Sequence, residues 1–409
     1  MSLCRYLPTP SDRMGVLWTL LSVKDAVVLE YGPAGTTHFS VGFFGKLGVE
    51  PNQTLFTTHL SEDDIIMGDV TRLEEAIREI DKNYHPKVIF VVSSAVISVI
   101  GTDIKGVCTY MKEEVNARLI PVDTGGFKGD YSLGIKEAYS LLTRSFVTKE
   151  TEVRPNSYNI LGASGYSYRM KADLWEMKEL LSEAFQSECN AVLGMDSSTE
   201  QLERLGAASV NLVLKAEALP AAIYLQETFG TPYIYDIPYG YTGTKQWLEQ
   251  ISAVLSTPVA PALMQKLQLR MMQSAGYKMY AAMYADREHA PNAVLIGDYD
   301  QLRGFSRLFA EIGLPVSLKF AAHSLAGLEA DDIVKPKTEK EKIDYLKELT
   351  YSLVLGDEIS LYLCDSSCEK LLTAFPLVHQ SQIAEHLPFV GIRGMDYILE
   401  AVDRYFSRM

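Results

Sequence analysis

The stretch KVIFVVSSAVISVIGTD, residues 87–103, is the clearest guide to the fold of this chain. Its first part, KVIFVVSS (87–94), is a continuous apolar run with polar residues at both ends. A strand that is covered on both faces has this pattern, because both of its side-chain rows lie in a core. Ala95 follows directly, and the next residues begin a helix. The stretch therefore predicts a strand of a parallel sheet with helices packed on both sides.

The same alternation of short apolar strands and amphipathic helices runs through almost the whole chain. AVVLEY (26–31) is the first clear strand, and VTRLEEAIREIDKNY (70–84) has its apolar residues on one face of a helix. Such alternation is typical of βαβ units and predicts an α/β fold. Three sets of these units predict domains at 1–154, 155–258 and 259–409, the last with a long first helix and a closing C-terminal helix.

The composition is that of a globular protein, with 47% hydrophobic and 22% charged residues in 409. A net charge of −14 and the lack of a Lys/Arg cluster argue against a nucleic-acid partner. No apolar run is long enough to span a bilayer, and the N-terminus lacks the basic-then-apolar pattern of a secretory signal. We therefore expect a cytoplasmic protein with no membrane partner.

The five cysteines do not form a disulfide scaffold in a chain of this length. Cys108 lies on an apolar helical stripe and Cys189 stands beside a predicted strand, so both are expected to be structural. Cys4 is either a candidate metal ligand or an ordinary residue near a chain terminus.

Cys364 and Cys368 form the one close pair of cysteines. We predict a strand at ISLYLCD (359–365) and a helix at CEKLLTAF (368–375). The four-residue spacing would place both sulfurs on one helical face, and the helix N-terminus would lower the pKa of the thiols. The pair is then half of a metal site; the alternative is two small residues in a βα loop.

Three glycine-rich turns follow predicted strands: GPAGTTHF (32–39), GGFKG (125–129) and PYGYTG (238–243). None of them matches the GxGxxG or GxxxxGK[ST] pattern, so a nucleotide site has little support and tight βα turns are the alternative. His38 in the first turn either faces a cavity or lies on a solvent-facing helix. The seven histidines show no HxxxH or HExxH spacing, so we expect no standard zinc site.

Taken in order, several stretches resemble component 1 of nitrogenase and its relatives. Sequences of that family contain, in this order, the motif GPxGC, an acidic segment, the motif P..I.V..TC..EVIGDD and the motif PGF.G. At the corresponding places this chain has, in the same order, GPAGTTHF, TTHLSEDDIIMGD (57–69), PKVIFVVSSAVISVIGTD (86–103) and VDTGGFKGDYSLGIKEA (122–138). The likeness continues in VNLVLKAEALPAAIYLQETFGTPYIYDIPYG (210–240) and PFVGIRGMDYILEAV (388–402). The resemblance implies three Rossmann-like domains around a central cofactor cavity.

The departures from the family pattern concern the cluster ligands. For members with a cluster at the subunit interface, the resemblance implies thiolates from three positions, which here are Cys4, Thr36 and Ala95. A hydroxyl or a methyl group cannot replace a thiolate on iron. Lys215 stands where the subunit with the large iron–sulfur cofactor has its ligating cysteine. We expect Thr36, His38, Ala95 and Lys215 to lie at cavity or degenerate ligand positions.

Two functions agree with this resemblance. The first is a subunit of a nitrogenase-like reductase that takes electrons from an ATP-dependent iron protein and reduces a small molecule or a tetrapyrrole in the cavity. Any iron–sulfur cluster would then be shared with a sister subunit or a second copy, with Cys4 as one ligand and Cys364 and Cys368 as further metal-ligand candidates. The alternative is a non-catalytic cofactor-binding, ligand-binding or scaffold protein of the same fold that has lost its cluster. The sequence names no catalytic residue.

Overall fold

The computed structural model describes residues 3–6, 8–35, 54–148, 152–376 and 386–409. Within these ranges the chain forms three sheets of four strands each, and all strand pairs are parallel. Helices connect the strands, as expected for βαβ units.

The first unit contains the stretch on which the fold prediction rests. Its strands are β1 (Ala26–Tyr31), β2 (Leu55–Thr57), β3 (Val88–Ser93) and β4 (Arg118–Val122). Its described helices are α1 (Asp12–Leu20), α2 (Glu62–Met67), α3 (Thr71–Tyr84), α4 (Ala95–Ile100), α5 (Ile104–Met111) and α6 (Tyr131–Phe146). β3 lies between β1 and β4, and all of its residues are buried, as predicted for a strand covered on both faces.

The second and third units repeat this plan. The second unit comprises β5 (Ser157–Ala163), α7 (Met170–Phe185), β6 (Glu188–Gly194), α8 (Thr199–Glu203), β7 (Val210–Val213), α9 (Leu219–Phe229), β8 (Tyr233–Tyr235) and α10 (Gly240–Leu255), with 3-10 turns at Arg204–Ala207 and Ala216–Ala218. The third unit comprises α11 (Pro261–Tyr284), β9 (Ala293–Gly297), α12 (Tyr299–Glu311), β10 (Val316–Ala321), α13 (Glu339–Glu348), β11 (Leu353–Gly356), α14 (Glu358–Leu363), β12 (Glu369–Leu372) and α15 (Gly391–Phe406).

The strand order is the same in every sheet. It is β2-β1-β3-β4 in the first, β6-β5-β7-β8 in the second and β10-β9-β11-β12 in the third. Each unit is therefore a Rossmann-like α/β layer, and the predicted fold class is confirmed. The exact domain boundaries at residues 154 and 258 stay predictions.

Helix α1 was not predicted from the sequence. All nine of its residues are buried, so it lacks the alternation of apolar and polar residues by which surface helices are found. Gly15 of α1 and Gly134 of α6 allow the two helices to touch. A Cβ atom on Gly134 would lie 1.8 Å from the carbonyl oxygen of Asp12, and one on Gly15 would lie 2.0 Å from that of Tyr131.

The structure corrects the prediction for the second half of the third unit. The charged stretch 337–354 has the pattern of a helix, but the helix α13 ends at Glu348 and the last residues of the stretch form β11. The predicted strand 359–365 lies mostly in α14, because the side chain of Asp357 caps this helix by accepting from the Ser360 amide at 2.9 Å. The predicted helix at 368–375 contains β12 instead.

Helix α11 is a 24-residue helix that leads into the third unit. Leu263, Leu267 and Ala281 are buried on one face, whereas Met272 and Met279 are exposed on the opposite face. Neither this helix nor any other in the described part of the chain has the length and apolarity needed to cross a membrane.

Candidate functional site

A cavity of about 50 Å³ lies between the carboxyl ends of the second and third sheets. Loops that follow β5, β7, β8, β9 and β12 supply much of its wall. The residues of this wall that carry the later arguments are Tyr166, Lys215, Tyr239, Asp298, Asp300 and Phe375. Open α/β sheets bind their ligands at the carboxyl ends of the strands, so this cavity is the candidate ligand site.

The carboxylate of Asp298 joins all three units beside the cavity. Lys215, just past the end of β7, donates to Oδ2 of Asp298 at 2.7 Å. Tyr131 of the first unit donates to Oδ1 at 2.7 Å, and Tyr166 of the second unit donates to Oδ2. Trp18 of α1 stacks on the ring of Tyr166, with 5.1 Å between ring centroids. Charge-assisted hydrogen bonds of this kind are stronger than neutral ones, so the junction is firmly held.

The electrostatics of this pair keep both groups charged. Burial alone would lower the pKa of Lys215, but the neighbouring carboxylates of Asp298 and Glu217 outweigh burial and raise it. Burial alone would raise the pKa of Asp298, yet the Lys215 ammonium brings it well below its usual range. Lys215 is therefore an ammonium ion at neutral pH and does not act as a nucleophilic amine.

Two further carboxyl groups line the cavity and also tie elements together. Asp300 accepts from the Ala216 amide at 2.9 Å and from the hydroxyl of Tyr235, which links the third unit to the second. Asp173 accepts from the Phe389 amide at 2.6 Å. Burial raises the pKa of both carboxyls, and that of Asp173 reaches about 7. Asp173 is therefore partly protonated near neutral pH.

The start of α10, in the glycine-rich turn at 238–243, is occupied by an internal carboxylate. Glu311 of α12 accepts from the Thr242 amide at 3.0 Å. The start of α15 is filled in the same way, because Glu176 of α7 accepts from the amides of Ile392 and Arg393 at 3.0 and 3.2 Å. Helix starts with open amides bind phosphate and other anions. Neither of these two starts is open to an external anion.

Ala95 is the first residue of α4 and lies at the carboxyl end of β3, as predicted. It does not line the cavity beside Asp298. The polar contacts near it are those of Ser93 and Ser98, whose hydroxyls donate to Oδ1 of Asp123 at 2.8 and 2.9 Å. The other two predicted positions of this group, Thr36 and His38, lie outside the described residues.

Cys4 lies against the third unit. Its thiol donates to Oε1 of Glu339, the first residue of α13, at 3.3 Å. The amide of Tyr6 donates to the same oxygen at 3.0 Å. The sulfur proposed as an early cluster ligand is therefore held by a carboxylate on an exposed surface.

Cys364 and Cys368 lie at the amino-terminal edge of the third sheet, opposite the cavity, because Cys364 follows α14 and Cys368 directly precedes β12. Both are buried, and their thiols donate to the carbonyl oxygens of Ser360 at 3.2 Å and Leu349 at 3.5 Å. Burial raises the pKa of both thiols, that of Cys364 to about 12. The predicted lowering of their pKa is wrong, because a strand and not a helix begins there.

The comparison with protein families decides the relationship. A family model described as nitrogenase component 1 type oxidoreductase matches residues 11–406. The chain belongs to this family. The resemblance found in the sequence motifs is therefore confirmed.

The chain is similar to relatives of two kinds. The nitrogenase iron-molybdenum cofactor biosynthesis protein NifE of Clostridium pasteurianum is 33% identical over 244 residues, 59% of this chain and 52% of that protein. NifE of Nostoc sp. is 27% identical over 395 residues, 93% of this chain and 79% of that protein. A light-independent protochlorophyllide reductase subunit of Chloroflexus aurantiacus is 23% identical over 399 residues, 93% of this chain and 73% of that protein. The chain thus spans about half the length of the first relative and most of the other two.

A solved structure of nitrogenase Cp1 at pH 6.5 has the same fold. It superposes with a TM-score of 0.80 at 16% sequence identity and covers 100% of this chain and 94% of its own. At this identity the likeness shows the three-unit architecture and nothing more specific.

The described donor residues do not fit an iron–sulfur cluster of the kind found in this family. A cubane cluster takes four ligands, mostly cysteine thiolates. Cys4 contacts α13, Cys364 and Cys368 are buried at the edge of the third sheet away from the cavity, and Ala95 has no donor. Within the described ranges no three His, Cys, Asp or Glu side chains are grouped so that they could hold a metal ion.

Lys215 was among the residues predicted from the sequence, whereas its partner Asp298 was not. Asp298 ends the apolar run NAVLIGD (292–298), and a polar residue directly after an apolar strand is the signal that could have found it. Tyr131 and Tyr166 gave no comparable signal, because tyrosine is frequent both in cores and at sites.

Proposed function

We propose that this chain is a ligand-binding or scaffold subunit of a component 1 type assembly that holds no iron–sulfur cluster on its own residues. The observation that carries the proposal is the dispersal of the candidate sulfurs. Cys4 is held by Glu339, and Cys364 and Cys368 are buried at the edge of the third sheet opposite the cavity. Buried thiols with raised pKa are poor sources of thiolate ligands.

The ligand of this subunit is proposed to bind in the cavity between the second and third sheets that Asp298 lines. At about 50 Å³ the cavity has room for only a few heavy atoms. It offers hydroxyl and carboxyl groups from Tyr239, Asp173 and Asp300 beside apolar walls, which suits a small polar molecule. A tetrapyrrole would need a different surface, such as the interface with another subunit.

An exposed apolar patch on the first unit is the proposed contact with a sister subunit or second copy. The α4 patch consists of Val96, Val99, Ile100 and Phe127. A Cβ atom on Gly125 would lie 2.8 Å from the Phe127 ring and 2.9 Å from the Ser98 hydroxyl, so this ring lies beside α4. Val99 is 73% and Phe127 69% exposed. Clustered exposed apolar side chains mark interaction surfaces.

A reductase subunit is the second candidate function. It is favoured by the oxidoreductase family and by the match to the protochlorophyllide reductase subunit along 93% of this chain. In this case a sister subunit would supply three cluster ligands and this chain at most one, Cys4. Electrons would come from an ATP-dependent iron protein.

Anaerobic purification separates the two functions. The chain is expressed alone and together with a sister subunit, and iron, sulfide and visible absorption are measured for wild type, Cys4→Ala and the control Cys189→Ala. If the proposal is right, the iron content of Cys4→Ala equals that of wild type in both preparations. A cluster that is present in the complex and lost only in Cys4→Ala would establish the reductase subunit instead.

The subunit contact is tested by a charge on the α4 patch. Val99→Glu should weaken association at least tenfold in analytical ultracentrifugation, because a carboxylate is then buried against an apolar surface. Val153→Glu is the matched control, since Val153 is also exposed but lies away from α4 in the sequence and outside the patch. Equal association of both variants would place the contact elsewhere.

A further inference from the structure

We propose that an exposed face of α11 is the contact surface for a second copy of this chain, which pairs with it in antiparallel orientation. The side chains that form this surface, called the α11 stripe, are Leu269, Met272, Met279 and Met283. The contact goes beyond the proposed function, whose subunit contact lies on the α4 patch of the first unit.

The four side chains of the α11 stripe follow one another at intervals of three, seven and four residues, so they lie on one face of the helix. Leu269 is 56% and Met272 69% exposed. Met279 and Met283 are 68% and 71% exposed, and the ring of Tyr280 beside them is 54% exposed. The rest of the described chain therefore leaves uncovered an apolar strip that is about 20 Å long at 1.5 Å per residue. Apolar patches of this kind mark interaction surfaces, and methionine is enriched in them.

The opposite face of α11 fixes the helix on its own chain. Leu263, Leu267 and Ala281 are buried there. The hydroxyl of Tyr277 donates to Oδ1 of Asp403 on α15 at 2.8 Å. The α11 stripe thus belongs to a helix that is held in place on one side, and a partner can meet it without first having to order it.

The charges of α11 suit contact with a second copy. Its sequence, Pro261–Tyr284, contains no Asp or Glu, although the whole chain has a net charge of −14. Two acidic surfaces would repel each other, whereas two copies of this face bring no carboxylates together. A surface that tolerates its own copy is what a two-fold dimer requires.

Two of the three basic residues of α11 are engaged by their own chain. Arg270 pairs with Asp396 of α15 at 3.4 Å. Lys278 lies near the carboxyl group of Glu311 on α12. The third basic residue, Lys266, is exposed near the beginning of the helix. Its charge is therefore available to the partner helix.

The positions of two end charges favour the antiparallel orientation. Lys266 lies near the beginning of α11, and the exposed Asp286 lies just past its end. The midpoint between them along the helix is also the midpoint between Leu269 and Met283. Antiparallel pairing about this point brings Lys266 of each copy to the same end as Asp286 of the other. Parallel pairing would instead bring like charges together at both ends.

Analytical ultracentrifugation of the purified full chain over a wide range of concentrations tests the contact. Wild type should form dimers. Met279→Glu should weaken the dimer about tenfold or more, because two carboxylates are then buried against apolar side chains. The matched control is Met67→Glu on α2, since Met67 is 79% exposed and lies in the first unit. Both methionines are exposed, so both variants should fold, which circular dichroism checks.

Exchange of the end charges tests the orientation. At low salt, Lys266→Glu alone and Asp286→Lys alone should each weaken the dimer about two- to fivefold, because each variant places like charges at both ends. The double variant Lys266→Glu/Asp286→Lys restores opposite charges and should associate like wild type. In a parallel dimer the double variant would show no such recovery.

The proposal is overturned if wild type stays monomeric at every concentration, if Met279→Glu associates like Met67→Glu, or if the double charge variant does not recover. Loss of the dimer in Val99→Glu and not in Met279→Glu would assign the second copy to the α4 patch instead. A monomeric wild type whose sister subunit is lost on Met279→Glu would assign the α11 stripe to that subunit.

Discussion

The hydroxyl of Tyr131 donates to Oδ1 of Asp298 at 2.7 Å, and this bond joins the first unit of the chain to the third across 167 residues of sequence. The acceptor is ionised, and Asp298 also holds Lys215 of the second unit. The Asp298 carboxylate, at the start of α12 in the third unit, thus binds side chains of the first and second units.

Tyr131→Phe removes this bond and keeps the ring. We expect the free energy of unfolding to fall by about 2 kcal/mol, as for other hydrogen bonds to charged groups. Urea denaturation measures the change. Tyr362→Phe is the control, because Tyr362 is 80% exposed and should leave stability unaltered. An equal, small effect of both variants would mean that the bond contributes nothing to the junction.

Two glycines give a matched pair of opposite predictions. Gly134→Ala should destabilise the protein by about 3 kcal/mol, because its Cβ would lie 1.8 Å from a backbone oxygen of α1, which must then move. Gly276→Ala on α11 has no atom within 4 Å and should stabilise by about 0.5–1 kcal/mol, since alanine favours helix. Chemical denaturation of both variants checks the signs. If Gly134→Ala is neutral, α1 does not pack on α6 as described.

The thiols should differ sharply in reactivity. At pH 8 a thiol with a pKa of about 12 is ionised in roughly one molecule in ten thousand, so folded Cys364 should resist iodoacetamide. Cys368, also buried with a raised pKa, should resist as well, whereas the exposed Cys4 should react first. Mass spectrometry of tryptic peptides after timed labelling measures the order. Labelling in urea is the control and should make all cysteines react.

Asp173 should make stability depend on pH between about 4 and 7. Its pKa rises from 3.8 to about 7 on folding, so in this range the folded protein keeps a proton that the unfolded chain has lost. Stability therefore falls as pH rises through the window, by about 1.4 kcal/mol for each unit of the shift at most. Asp300 contributes with the same sign, because burial also raises its pKa.

Asp173→Asn isolates this contribution. The amide does not titrate, so the variant should gain stability relative to wild type as the pH rises from 4 to 7, when the two are compared by denaturation at each pH. The exposed Asp331→Asn should show a constant difference from wild type. A constant difference for Asp173→Asn as well would contradict the raised pKa.

Sequence patterns predicted the strands and helices whose pattern reflects local burial. They did not predict features that depend on contacts between residues far apart in the sequence. The strand at 87–94 was predicted from its continuous apolar run, and β3 is buried throughout. ISLYLCD (359–365) was predicted to be a strand, but the Asp357 cap makes most of it helical. The wrong assignment in turn placed Cys364 and Cys368 at the wrong edge of the third sheet. The pairing of Lys215 with Asp298 spans 83 residues and leaves no mark on either local pattern.

The position of helix α15 in the sequence affects how the chain folds during its synthesis. It follows the third sheet in the sequence, yet Glu176 and Asp173 of α7 bind its first turn and the residues before it. The second unit is translated long before α15 emerges from the ribosome. The surface of α7 that binds α15 therefore stays exposed until then. A nascent chain arrested before residue 391 would therefore expose the second unit, as well as the third, to chaperones and proteases.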